Sequence, residues 1–287
     1  MTARLQSLFL ALLLAATPAI SNAAPALWQV SDTDSKVWFF GSIHVLKPGV
    51  EWRTPLFDQT LKAADQVYFE ADIGPLGQLG LVIQSLKMSL NKQEPWSARI
   101  GATHMSDVIE AVVPLGFTLP QLLNYPPWLA EAMVEEAAVE KHGYQPALGV
   151  DSILQGELPK ERKAYFETAA QQMEMLAGEP LDRQVMRFVA GVDGLEKMPE
   201  QLDAMTAAWA EGKGDDLASQ IADDPTMDDA FAQMMVRDRN AKWVTTIKGL
   251  LADNRRDLVI VGAAHLSGDG SVIDLLAKAG FTVQRIQ

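Results

Sequence analysis

Val37-Trp38-Phe39-Phe40-Gly41-Ser42-Ile43-His44 lies near one end of the chain and Leu258-Val259-Ile260-Val261-Gly262-Ala263-Ala264-His265 near the other. Each is a β-favouring apolar run that passes into Gly-x-x-His. A run apolar at consecutive positions has no wet face, so each reads as a central strand covered by helices on both sides, as in a parallel sheet. Glycine at the strand exit permits a turn that a β-carbon would obstruct. The same grammar recurs where Gln66-Val67-Tyr68-Phe69 ends in Glu70, Ala147-Leu148-Gly149-Val150 in Asp151, and Ala164-Tyr165-Phe166 in Glu167. Ligands of open α/β sheets bind outside the carboxyl ends of the strands. Five parallel strands of this kind would bring His44, Glu70, Asp151, Glu167 and His265 to one rim.

The intervening segments read as helices. Spacing and composition predict one over 106–113 and a stronger one over 128–142, rich in Ala and Glu and stopped by Gly143. From 171 to 251 the pattern is almost wholly helical, with breaks at 178–180, 191–194, 212–214 and 223–225 where Gly, Pro and Asp gather. A helix over 271–278 and a strand over 281–286 close the chain. The expected fold is α/β: a central, mostly parallel sheet flanked by helices, with helical insertions at about 74–145 and 171–255 forming a lid over the rim. Met173, Met175, Met186, Met198 and Met205 in the second insertion suit either an adaptable apolar lid or ordinary core packing.

Composition narrows the chemistry. The chain has 287 residues, 48% hydrophobic and 21% charged, as in an ordinary globular protein. Twenty-four Lys and Arg against 37 Asp and Glu give a net charge of −13, which would repel a phosphate backbone, so a nucleic-acid partner is not expected. No cysteine is present, which removes disulfides, thiol nucleophiles, Cys zinc sites and iron–sulfur clusters. The four histidines are His44, His104, His142 and His265. His142 falls at a helix C-terminus, where a cation suits the dipole, and His104 at a helix start; both read as structural.

Residues 1–23 have the order of a secretory signal peptide: Arg4, an apolar run over 8–16, Pro18, then Ser21-Asn22-Ala23-Ala24. The run is too short to span a bilayer. Cleavage after Ala23 would release a periplasmic or secreted α/β domain over 24–287, with no cysteine at the cleavage site to carry a lipid anchor.

The Walker and Rossmann glycine patterns, a helical His-Glu-x-x-His and a Gly-x-Ser-x-Gly elbow are all absent from the sequence. Gly268-Asp269-Gly270-Ser271 before a helix would offer backbone N–H groups to an anion. What remains is a His/His/carboxylate set: His44, His265 and Glu70, with Asp151 and Glu167 as weaker candidates. Two imidazoles and a carboxylate make a first shell for a divalent metal ion with open positions for water, and a second carboxylate would serve as general base. In Met235-Val236-Arg237-Asp238-Arg239-Asn240-Ala241-Lys242-Trp243, an Arg turned toward the rim would hold an oxyanion or a carboxylate. Helical neighbours such as Arg239 and Asn240 do not share a face.

Taken in order, Gly41-Ser42-Ile43-His44, Phe69-Glu70-Ala71-Asp72, Gly149-Val150-Asp151, Arg237 to Trp243 and Val261-Gly262-Ala263-Ala264-His265-Leu266-x-Gly268 resemble the signature segments of the TraB/PrgY/GumN family, which also contains the Tiki proteases. The resemblance runs from about Leu27 to the C-terminus. Glu167-Thr168-x-x-x-Gln172 matches the family's Glu-x-x-x-Gln segment loosely, since Gln171 and Gln172 leave the register open. The resemblance implies a fold akin to ChaN-like haem-binding lipoproteins and erythromycin esterases, and the metal-dependent peptidase activity of Tiki members. It makes His44 and His265 metal ligands or acid/base groups, Glu70 a ligand or base, and Arg239 an oxyanion or substrate clamp. Mn, Co and Zn all suit such a site, with a peptide or a small amide or ester as substrate. Two alternatives remain: a haem- or ligand-binding protein holding iron through Tyr68, Tyr165 or a His, and a metal-free esterase with His44 or His265 as general base on water.

Overall fold

A computed structural model describes residues 23–74 and 96–287. The expected signal peptide over 1–23 therefore lies almost wholly outside the described residues, as does part of the first expected helical insertion. Six strands, β1 (Leu27–Ser31), β2 (Lys36–Ser42), β3 (Gln66–Phe69), β4 (Lys163–Tyr165), β5 (Arg256–Gly262) and β6 (Thr282–Arg285), form one sheet in the order β4-β3-β5-β2-β1-β6. The first four of that order run parallel, while β1 is antiparallel to both β2 and β6. The amphipathic β1 carries no uninterrupted apolar run and is not anticipated from the sequence. Its Leu27 and Val30 are buried while Trp28 and Gln29 are only partly so.

Ten helices of seven or more residues surround this sheet among the described residues: α1 (Pro55–Ala63), α2 (Ala102–Val112), α3 (Pro127–Lys141), α4 (Val150–Glu157), α5 (Ala169–Gly178), α6 (Leu181–Gly194), α7 (Met198–Ala210), α8 (Gly214–Ala222), α9 (Asp238–Ala252) and α10 (Val272–Lys278). The two apolar runs are buried on both faces. Trp38, Phe40, Leu258 and Ile260 pack with Phe57 of α1, Leu154 of α4 and Trp209 of α7. Val37, Phe39, Val259 and Val261 pack with Trp243 and Ile247 of α9 and Leu276 of α10. The first insertion does not merely drape over the sheet. Val108 and Val112 of α2 and Ala130 and Val134 of α3 join Val185 and Phe188 of α6 in a third, wholly helical core. Of the methionines, Met173 is buried and Met205 packs on the first core, whereas Met186 is exposed.

Two features of topology place the site. β5 lies between β2 and β3, with Ser42 opposite Gly262 and Phe69 opposite Ile260, so the exits of all three strands are neighbours at one edge. The stretch before Asp151 is not a strand, as its apolar run suggested. Pro146–Leu148 makes one 3-10 turn and Val150 begins α4. Pro146 and the tight contact at Gly149 preclude extension: a β-carbon on Gly149 would overlap the His44 carbonyl. The Val150 N–H donates to the Ile43 carbonyl at 3.0 Å, which docks the start of α4 directly under the first Gly-x-x-His turn.

Candidate active site

Gly262 is the floor of the site. A β-carbon there would stand 3.1 Å from Glu70 Oε1, 3.3 Å from His44 Nε2 and 3.6 Å from His265 Cδ2. Glycine thus leaves open a space on which three of the groups singled out in the sequence converge. The Gly262 N–H donates to Glu70 Oε1 at 2.7 Å and fixes the carboxylate against the end of β5.

His44 stands at the outer side, its side chain 64% exposed. Its Nδ1 lies 2.8 Å from Asp151 Oδ2, and the other Asp151 oxygen accepts the Ser42 hydroxyl at 3.0 Å. The Asp151 carboxylate stabilises the imidazolium and raises its pKa from the ordinary 6.5 to about 9, outweighing desolvation. His265, on the turn Ala263–Leu266, is buried, with Nδ1 2.7 Å from Asn240 Oδ1 and its ring 4.5 Å from that of Trp243. The Asn240 amide donates to the Gly270 carbonyl at 2.9 Å, which orients its oxygen toward His265. His265 is accordingly the Nδ1–H tautomer, its Nε2 lone pair facing inward. Burial disfavours its charged form and lowers its pKa to about 4, against the opposing pull of Glu70.

Glu70 follows β3 directly. Burial pushes its carboxyl up, but His265, Arg239 and His44 around it, with the Gly262 N–H, outweigh burial and bring it down to about 2. Arg239 is buried and its donors are directed at protein acceptors: Nη2 at Glu70 Oε2, 2.5 Å away, Nε at both Glu167 oxygens, and Nη1 at the Met235 carbonyl and His265 Nε2, 2.9 and 3.2 Å away. Its guanidinium also stacks 4.7 Å over Trp243. Arg239 therefore holds Glu70, Glu167 and His265 in register, rather than presenting a free edge to an oxyanion. Glu167 reaches the group because the end of β4 continues along β3, its N–H donating to the Glu70 carbonyl at 2.9 Å, and it also accepts the Trp243 indole N–H at 3.0 Å.

All six candidates, His44, Glu70, Asp151, Glu167, Arg239 and His265, come together. His104 and His142 are exposed, on α2 and at the end of α3. Tyr68 and Tyr165 belong to cores on opposite faces of the sheet, so they do not converge on one ligand. Ser271 caps α10 and Asp274 accepts the Gly270 N–H, which assigns the Gly268–Ser271 segment to helix capping.

Three participants escape the sequence reading. Ser42 lies within the first motif but shows its role only through Asp151, more than a hundred positions away. Asn240 adjoins Arg239, and the face rule set the two apart. The long arginine nonetheless reaches around, so that one residue takes each nitrogen of His265. The π-helical turn Gln233–Arg237 directly precedes this pair, an irregularity frequent at functional sites. Gln172 settles the open register: its amide reaches Glu70 and Glu167 at 3.5 and 3.4 Å, whereas Gln171 completes the Thr168 capping box of α5.

The donor set, two imidazoles and carboxylates, is of the type that ligates divalent cations. Each Nδ1 is engaged by an oxygen acceptor, the arrangement that fixes metal-ligating imidazoles; His44 Nε2 meets Glu70 Oε1 at Gly262, and His265 Nε2 lies 3.7 Å from that oxygen. Among the described residues no three His, Asp or Glu donors stand close enough together to close a shell as the side chains lie. Arg239 bridges His265 Nε2 and Glu70 in that arrangement. Among the described residues no helix is long and apolar enough to cross a membrane.

The family model described as TraB/PrgY/gumN matches residues 26–285. No curated protein and no solved structure matches the chain significantly.

Proposed function

The chain belongs to the TraB/PrgY/gumN family, and we propose that it is an exported, metal-dependent hydrolase of peptide or other amide and ester bonds, acting at the Gly262 space. The observation that carries this reading is the paired histidine geometry: two imidazoles each held through Nδ1 by an oxygen acceptor, with His44 Nε2 and Glu70 Oε1 meeting at Gly262 and His265 Nε2 3.7 Å from the same carboxylate oxygen. His44, Glu70 and His265 would hold the ion. Its chemistry is Lewis acidity, which lowers the pKa of water and polarises a carbonyl. Formal charge agrees: Asp151, Glu70 and Glu167 against His44 and Arg239 leave one net negative charge, and a divalent cation replacing the His44 proton brings the centre to neutrality.

The protein groups then divide the work. Asp151 keeps the His44 proton on Nδ1 and Asn240 does the same for His265. Gly262, lacking a β-carbon, lets Glu70 and the two imidazoles draw together at one point. Glu167, at the inner edge, is the carboxylate available to take a proton from water once a substrate displaces its contacts with Arg239 and Gln172. Arg239 keeps Glu70 ionised and oriented.

A specific contact favours a second reading. Arg239 already bridges His265 and Glu70 with its own positive charge, and in a metal-free esterase His44 would be the proton-transferring group, active as a base as pH approaches about 9. Metal analysis of the purified protein, with chelation and back-titration by Mn, Co or Zn, separates the two. The metal reading expects a bound divalent ion lost in His44→Ala and His265→Ala, and activity lost on chelation and restored by one of these ions. Full activity after complete chelation would sink it and favour the metal-free reading. A coloured protein with an iron porphyrin would instead return the ligand-binding alternative.

A further inference from the structure

α4 supports the centre at two points, and only one of them is Asp151. Asp151 and Gln155 are four positions apart, so they share a face of the helix, about 6 Å apart along its axis. Gln155 is buried, 6% exposed. Its amide nitrogen donates to the Ala71 carbonyl at 3.0 Å and its amide oxygen accepts the Ile73 N–H at 3.1 Å. The end of the helix is itself tied to the sheet: Lys163 Nζ of β4 donates to the Gln155 main-chain carbonyl at 2.8 Å.

β3 stops at Phe69, so the chain leaves the sheet at Glu70. The acceptor and the donor that Gln155 engages, two residues apart, are groups that a neighbouring strand would otherwise take. A carboxamide offers one of each without charge, which suits both the pair and a buried position. Ala71 is buried, so its carbonyl left alone would carry the desolvation penalty of an unpaired polar group. Glu70 thus stands on a backbone held by the continuation of β4 through its own carbonyl and by α4 through Ala71 and Ile73. The same helix holds the other group that meets at Gly262: the Val150 N–H docks under Ile43, and Asp151 engages His44 Nδ1. One short helix therefore carries supports for both His44 and Glu70.

We infer that Gln155 is a positioning residue of the centre: acting through the backbone at Ala71 and Ile73, it sets where Glu70 stands relative to His44. The kinetic consequence rests on the hydrolase reading above, whereas the placement of Glu70 does not. The Gly262 N–H, which Glu70 Oε1 accepts at 2.7 Å, reports that placement directly. Val261-Gly262 is the only Val-Gly step in the sequence, so carbonyl-labelled valine with nitrogen-labelled glycine leaves a single amide resonance to follow by NMR in the full chain.

The resonance is read in the protein as purified and again after dialysis against EDTA, with Glu70→Ala, which removes the acceptor, marking the far end of the scale. In Gln155→Met, similar in length but without either hydrogen-bonding group, it should move about a third of the way or more toward the Glu70→Ala position. On 4-nitrophenyl ester and anilide substrates kcat should fall about 10- to 100-fold while KM stays within about twofold. Gln155→Glu keeps the acceptor for the Ile73 N–H, so it should move the resonance less, and it serves if Gln155→Met does not fold. Trp96→Phe is the control. It removes a buried side-chain hydrogen bond to a main-chain carbonyl, that of Tyr125, in the wholly helical core, and should leave both the resonance and kcat where they are. An unmoved resonance in a folded Gln155 variant, or one that Trp96→Phe moves as far, overturns the positioning role whatever the turnover, and any turnover of the wild type then leaves the hydrolase reading standing. A moved resonance with undiminished kcat overturns it too, because Glu70 would then work wherever it stands. A moved resonance in a protein that cleaves no ester or amide upholds the placement of Glu70 by Gln155 and overturns the hydrolase reading.

Discussion

The two Gly-x-x-His segments begin from nearly the same local sequence, leave adjacent parallel strands at the same edge, and end in opposite electrostatic states. His44 is open to solvent and faces a carboxylate, so it is a cation at neutral pH, with a pKa of about 9. His265 is buried and faces a carboxamide, so it is neutral, with a pKa of about 4. Glu70 lies between them and answers to both. A motif that places an imidazole does not decide what the imidazole is; the acceptor on Nδ1 and the exposure of the ring do. A pair split this way can offer one group that holds a proton and one that holds a lone pair within a single small site.

The strongest way to break the pair is to remove what they share. Glu70→Gln should lower kcat/KM by about 10³-fold or more, with the melting temperature falling only a few degrees, because Arg239 keeps Glu167 as a partner. Thermal unfolding alongside kinetics checks this, and a collapse of folding would make Glu70 structural instead.

The next test exchanges the two environments. In Asp151→Asn the His44 pKa should drop back toward the ordinary 6.5, and in Asn240→Asp the His265 pKa should climb by roughly 1–3 units. Both are read by NMR titration of the ring protons. Unmoved titrations would show that something other than the Nδ1 acceptor sets the contrast.

A smaller effect concerns stability. His44 has a raised folded pKa, so its contribution is complete below about pH 6.5 and is lost as pH rises through about 9. His265 has a depressed one, so its contribution is complete above about pH 6.5 and is lost as pH falls toward about 4, where the unfolded chain has already taken up the proton. Denaturant midpoints against pH should therefore slope down on both sides of neutrality, the alkaline slope being the shallower because His44 is exposed and screened. Asp151→Asn should flatten the alkaline limb alone.

The smallest expected effect separates the adjacent glutamines. Gln172→Ala should reduce activity by less than about tenfold, since its contacts with Glu70 and Glu167 are long. Gln171→Ala should leave kinetics unchanged and cost about 0.5–1 kcal/mol through the α5 capping box.

Much of the architecture was legible because it depends on short-range pattern. Runs apolar on both faces had to become central strands, and Gly and Pro had to punctuate the helical half. The breaks expected around 178–180, 212–214 and 223–225 fall where α5, α7 and α8 end, whereas Gly191 stays inside α6 and that helix ends at Gly194. The misreading of 147–150 as a strand has a cause of the same kind. Four small apolar residues have no period, and what decides them is the contact of Gly149 with the His44 carbonyl, remote in sequence.

The sequence by itself determined the α/β class, reduced four histidines to two, and collected His44, Glu70, Asp151, Glu167, Arg239 and His265 as the groups to watch, because strand exits and motif glycines are local signals. Only the tertiary structure decided that α4 delivers Asp151 to His44, that Asn240 rather than a carboxylate holds His265, that Gln172 and not Gln171 reaches the centre, and that Arg239 binds the carboxylates together. A pKa is set by the charges, dipoles and solvent that meet a group in space, and these come from segments whose proximity no local pattern encodes.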